Sequence, residues 1–238
     1  MKVTEYGKLV TLTRRLIEDE KIWGDTEIIL QGNAQTPHNV KPAQELEDFR
    51  KKICNCVKCD LGKTRIKLVF GTGSANARLM FIGEGPGYAE DHQGEPFVGR
   101  AGQLLTKIIE SIGLKREDVY IANIVKCHPM VDPSDPEKKS NDRPPSPEEI
   151  QTCLPYLEDQ IKIINPKIIC ALGTWAAKTL LNTELGITKL RGKFYERNGI
   201  MLMPTYHPAA LLRNELLKKD VWEDMKMIRE ELKNTKPA

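Results

Sequence analysis

The sequence predicts an α/β protein of three layers, α/β/α, built on a mostly parallel central sheet. Three observations carry this. Short apolar runs recur along the chain: RLMFIG (78–83), DVYIANIVK (118–126) and KIICALG (167–173). Longer segments with helical apolar spacing separate them, such as GQLLTKIIESIG (102–113) and SPEEIQTCLPYLEDQIKII (146–164). Strands that are apolar on both faces and joined by helix-length crossovers pair in parallel and carry helices on both sides. With 238 residues, the chain is long enough for one such domain plus an appendage.

Element by element, residues 1–20 suit a helix, with Val3, Tyr6, Val10 and Leu16 near one face. Residues 21–41 mix Gly, Pro, Asn and Gln as a linker would, and AQELEDFRKKI (43–53) has Leu46, Phe49 and Ile53 at inward positions of a second helix. We divide the chain into an N-terminal helical appendage and linker, 1–45, and a main domain, 46–238. The helix at 102–113 ends on Gly113. The one at 146–164 opens with an N-cap Ser146, Pro147 at the first helical position and Glu149 three residues after the cap. TWAAKTLL (174–181) is helical, GKFYERNGIMLMP is a hairpin turning at Asn198-Gly199, and VWEDMKMIREELK is a closing helix. Proline-rich HPMVDPSDPEKKSNDRPPSP (128–147) lacks periodicity and reads as a surface loop. Parallel sheets bind ligands beyond the carboxyl ends of their strands. Gly83-Glu84, Asn123 and His207 each follow or end an apolar run and are expected on one edge.

Composition narrows the class further. Apolar content of 40% and charged content of 29% are ordinary, and no apolar run approaches a membrane span. The N-terminus lacks a signal-peptide core, so a cytoplasmic protein with no membrane contact is expected. The net charge of +3 does not announce a nucleic-acid partner. Its distribution is more telling: RKKICNCVKCDLGKTRIK (50–67) holds seven Lys/Arg against one Asp, and GITKLRGKFYERNG (186–199) four against one Glu. Each run is either solvated surface or footing for phosphates. Of six cysteines, Cys170 in KIICALG reads as core, while Cys56 and Cys59 form a C-x2-C pair in a polar setting. With Cys127 and Cys153, each beside proline, they suit either Zn2+ or an iron–sulfur cubane, Cys54 being the rival ligand.

One stretch asks for a function. GEGPGYAEDHQGEPFVGRAG (83–102) leaves a buried strand directly on a carboxylate, then supplies glycines, more acids and a Phe. A phosphate-cradling nucleotide hydrolase is the weaker reading, because the Lys-Ser/Thr ending is missing and the acids repel phosphate. GEGPGYAED, PFVGRAG, NIVKC and YHPAALLR, in that order and with the cysteine pattern, resemble the family 4 uracil-DNA glycosylases, the iron–sulfur branch of that superfamily. The resemblance runs over about residues 54–232 and implies a uracil-DNA glycosylase-like fold, a structural [4Fe–4S] cluster on Cys56, Cys59, Cys127 and Cys153, and monofunctional base excision from single- or double-stranded uracil-containing DNA. A monomer is expected, with residues 1–45 available to a protein partner.

The resemblance also implies roles. His207 donates to uracil O2 as charge builds there, and Asn123 pairs with N3–H and O4. Phe97 stacks on the extracted base, or else packs in the core. Glu84 orients the attacking water, the backbone of Gly83, Glu84 and Gly85 lines the uracil, and Glu90 crowds its 5-carbon. Leu211 plugs the duplex, or else is an ordinary buried helix residue, while Arg213 and Lys193 grip phosphates. Loop 128–147 has no His after His128, so turnover rather than covalent capture is expected. The alternative is a non-catalytic iron–sulfur protein of the same fold that binds nucleic acid or senses redox state.

Overall fold

The computed structural model describes residues 41–235; the helix expected at 1–20 and the linker up to residue 40 lie outside the described residues. In chain order the helices are α1 (Pro42–Ile53), α2 (Asp60–Thr64), α3 (Tyr88–Gln93), α4 (Arg100–Ser111), α5 (Pro147–Ile164), α6 (Thr174–Leu181), α7 (Ile187–Leu190), α8 (Pro208–Arg213) and α9 (Leu217–Asn234). The strands are β1 (Thr72–Gly73), β2 (Leu79–Gly83), β3 (Tyr120–Asn123), β4 (Ile168–Leu172), β5 (Tyr195–Arg197) and β6 (Ile200–Thr205).

Sheet order is β1-β3-β2-β4-β6-β5. The inner four strands run parallel, and the short edge strands β1 and β5 pair antiparallel to β3 and β6. Alternation along the strands assigns the two faces. Met80, Ile82, Ala122, Ile169, Ala171 and Leu202 pack with Leu157 and Ile161 of α5 and with Ala176 and Ala177 of α6. Leu79, Phe81, Ile121, Ile168, Cys170 and Met203 pack with Leu105 and Ile109 of α4 and with Met225 and Ile228 of α9. Both faces are dry, as a parallel sheet requires. The chain leaves β2 toward β3 on one side and β4 toward β6 on the other. Between these neighbours the connections diverge and open a crevice at their carboxyl ends.

Local signals behave as their chemistry demands. Ser146 Oγ accepts from Glu149 N–H, and the Glu149 carboxylate accepts from Ser146 N–H at 2.7 Å, closing the capping box of α5. Asn198 and Gly199 both adopt positive φ, 52° and 80°, matching the twist of the β5–β6 hairpin. The domain division after residue 45 falls inside α1, whose Leu46 and Ile53 join the core on the α5 face. The strand expected over 118–126 is shorter, Tyr120–Asn123. Beyond it the Lys126 ammonium turns back to donate to the Asn123 carbonyl at 2.8 Å, and the chain bends away from the sheet.

Loop 128–147 departs most from expectation. His128, Met130 and Asn141 are buried, and the loop is knotted from within. Val131 N–H donates to Asn141 O at 2.8 Å, Arg143 N–H to Pro129 O at 3.1 Å, and the Asn141 side chain bonds the backbone of Asp132 and Asp135. A single amide buried inside a turn satisfies several backbone groups at once, and apolar periodicity does not register it.

Gly102 in the first turn of α4 packs against the loop carrying Phe97, where an added Cβ would sit 1.8 Å from the Phe97 carbonyl oxygen. Gly102→Ala is expected to cost about 1–3 kcal/mol by overpacking. The readout is a lower urea midpoint at unchanged m.

Candidate active site

At the carboxyl edge of the sheet lies a cavity of roughly 430 Å3, lined among others by Glu84, Glu90, Phe97, Asn123, His207 and Arg213. Residues far apart in sequence therefore meet, as the strand ends suggested. Gly85 lines it too. Gly83 does its part from behind. A Cβ there would lie 2.5 Å from Asn123 Oδ1 and 2.6 Å from Phe97 Cζ, so only bare backbone lets the amide and the ring approach each other.

Asn123 ends β3 and is 2% exposed. Its backbone is fixed by Lys126, yet its side-chain oxygen is buried with no hydrogen-bond partner. An unpaired buried acceptor costs about 1–3 kcal/mol, a penalty that a ligand N–H bonding to it relieves. Phe97 stands beside it with φ at 55°, a conformation disfavoured for a bulky side chain and held here by its surroundings. Its ring lies 5.4 Å from the His207 ring, at 34°.

His207 caps α8, its Nδ1 accepting from Ala209 N–H at 3.2 Å. That bond leaves the proton of the neutral ring on Nε2. Burial, and then the charge of Arg213, push the imidazole down to about 4, so it is a neutral donor at physiological pH. Glu84 behaves oppositely: burial raises its carboxyl to about 7. Glu90 faces the cavity, but its Oε1 accepts from Val98 N–H and Gly99 N–H, both at 3.0 Å. One carboxylate thus anchors the start of α4 and, with it, Phe97.

One expectation needs correcting. Leu211 is 1% exposed and belongs to the core beneath α8, so it cannot reach a duplex. The exposed leucines here are Leu212, at 42%, and Leu216, at 84%. Lys193 is exposed outside the cavity lining and lies 5.1 Å over the Tyr195 ring. Sequence reasoning missed the opposite wall, formed by Pro129, Asp142, Arg143, Pro144 and Pro145 of loop 128–147. Arg143 pins this wall to the head of α5 through a bidentate pair with Glu149 at 2.7 and 2.9 Å. Arg143 and Glu149 flank the N-cap serine in sequence, which was the available signal.

Cys56, Cys59, Cys127 and Cys153 line one small pocket with Gly62, Leu68, Lys126 and Tyr156. A Cβ on Gly62 would meet the Cys56 carbonyl at 2.5 Å, so α2 folds tightly on the C-x2-C turn. Burial pushes the Cys127 and Cys153 thiols up, while Arg65 beside Cys127 and Lys126 beside Cys153 act in the opposite direction. Among the described residues, no three His, Cys, Asp or Glu side chains converge to hold a single metal ion. Cys54 is exposed, turns its Sγ to Lys51 O, and stands outside the pocket.

The profile of the Uracil DNA glycosylase superfamily matches residues 70–226. The type-4 uracil-DNA glycosylase of Archaeoglobus fulgidus is 42% identical over 195 residues, covering 79% of this chain and 93% of that protein. The type-4 uracil-DNA glycosylase of Saccharolobus solfataricus is 45% identical over 201 residues, covering 81% and 88%. A type-5 uracil-DNA glycosylase from Pyrobaculum aerophilum is more distant, 27% identical over 199 residues. Motif order, pocket geometry and identity along most of the chain agree, and the chain belongs to the type-4 branch of the uracil DNA glycosylase superfamily.

Proposed function

We propose that this protein is a monofunctional uracil-DNA glycosylase, which hydrolyses the N-glycosidic bond of deoxyuridine in single- and double-stranded DNA and so starts base excision repair. The observation that carries the reading is the unpartnered Asn123 Oδ1 beside the Phe97 and His207 rings. It suits the N3–H of a flipped uracil, while the amide N–H2 donates to O4. Cytosine has neither group in that protonation pattern, so it leaves the amide unpaired.

Bond cleavage sends the N1–C1′ electron pair to uracil and leaves positive charge on the sugar. The Nε2–H of His207 meets the growing charge on O2 without itself being charged. Ionised Glu84 orients the water whose oxygen bonds to C1′, accepts its proton and opposes the cationic sugar. Arg213 lines the cavity from α8, where a cation holds phosphate, and its neighbour Leu212 is an exposed apolar side chain on the same helix, of the kind that fills the place of an extruded base. The proposed setting is the cytoplasm, whose reducing conditions suit six free thiols.

We assign a [4Fe–4S] cluster to Cys56, Cys59, Cys127 and Cys153. Four cysteines lining one pocket supply the all-thiolate donor set that an iron–sulfur cubane takes. When bound, it supplies iron–thiolate bonds that are structural, since glycosidic hydrolysis transfers no net electrons. A purely redox-sensing reading leaves Glu84, Asn123, Phe97 and His207 without employment.

Incubation with an oligonucleotide carrying one uracil, followed by alkali, should yield a single cut that is absent without alkali. His207→Ala should lower kcat about 10²–10³-fold, the usual cost of one such donor. Asn123→Ala should also lose most uracil excision, and unchanged excision there overturns the pocket assignment. Because Glu84 must be ionised and titrates near 7, kcat/KM should fall about tenfold per pH unit below that point. This acid limb should vanish, at a lower rate, in Glu84→Gln. Cys153→Ser should lose iron and thermal stability, whereas Cys54→Ser should keep both, as read by iron analysis and melting temperature.

A further inference from the structure

We propose that His128 is a positioning residue for this pocket, a buried bracket that sets the gap between α3 and the wall at 129–145. The inference rests on the pocket assignment above. His128 follows Cys127 directly and is 0% exposed. Its Nε2 lies 2.7 Å from Oδ1 of Asp142, a wall residue that lines the cavity. Its Nδ1 faces Asp91 Oδ2 at 3.7 Å, too far for a hydrogen bond, and has no partner. Asp91 is fully buried in α3 and is itself fixed by the N–H groups of Ile66 and Lys67 at 3.1 and 3.3 Å.

The ring therefore stands between two carboxylates that belong to opposite sides of the cavity. On the α3 side the same helix carries Glu90, which holds the backbone next to Phe97. On the far side, the bonds of Val131, Asn141 and Arg143 tie the wall to itself and to α5. A second pair joins α3 to the same loop, His92 to Glu137 at 3.1 Å, but both of its side chains reach solvent and such pairs contribute little. The His128 ring, by contrast, is wholly buried, although the Asp142 side chain it meets is 60% exposed. Removing the His128 ring leaves Asp91 and Asp142 facing each other across an unfilled space. The wall then moves outward or admits water, and the gap that grips the base widens.

The test compares the holoenzyme with His128→Leu and His128→Gln, the second keeping one donor to Asp142. In His128→Leu, amide exchange at Val131 and Arg143 should accelerate about tenfold or more without DNA. KM for a uracil-containing oligonucleotide should rise about tenfold with kcat changed less than about threefold, the signature of lost uniform binding. His128→Gln should restore both readouts to within about threefold of wild type. Wild-type exchange and KM in His128→Leu at full iron content overturn the proposal. Loss of iron in His128→Leu also overturns it, because the residue then acts through the cysteine site. Should the unmodified enzyme leave uracil in place, the proposed function fails, while the exchange comparison still decides whether the bracket exists.

Discussion

A buried amide oxygen without a partner, at the end of a strand that has no room to spare, is the constraint around which the site is arranged. Keeping Asn123 in that state costs about 1–3 kcal/mol, and holding Phe97 at positive φ costs a similar amount. Both costs are borne by rigid neighbours. Lys126 fixes the backbone of Asn123, Glu90 fixes the amides after Phe97, and the absent side chain of Gly83 lets the two meet. The sheet supplies the rest, since β2, β3, β4 and β6 end on one edge and their loops have nowhere else to go.

Much of this was legible in the residues. The strands are short apolar runs buried on both faces, the capping box at Ser146 and the Asn198-Gly199 turn carry their own chemistry, and the motif residues stand at strand ends. What escaped is equally physical. Leu211 and Leu212 are neighbours on a helix of one and a half turns, too short for periodicity to say which one faces inward. Glu90 and Asp91 are adjacent acids, yet one braces the cavity and the other is buried against backbone amides in a distant segment. The loop at 128–147 looked like surface because its order comes from Asn141, Arg143 and His128, single polar side chains satisfying backbone and carboxylates.

The basic segment at 50–67 gains meaning from its neighbours rather than from its charge. Arg65 donates to the Cys56 carbonyl at 2.6 Å, to the Cys54 carbonyl at 2.7 Å and to Cys127 Sγ at 3.3 Å. One of the seven cations is therefore part of the cysteine site's scaffold, bridging the C-x2-C turn and the chain beyond β3. Counting charges could not separate it from lysines such as Lys63, which lies in the open beside Asp60.

The β5–β6 hairpin has a practical corollary. Asn198 and Gly199 precede β6, so their exposed tip lies at the amino edge of the sheet, a full strand away from the loop that carries His207. Tight exposed tips of this kind accept inserted residues with little strain on the scaffold. A fluorophore, affinity handle or tether grafted there would report on the enzyme from its blind side, leaving the face that meets nucleic acid unobstructed.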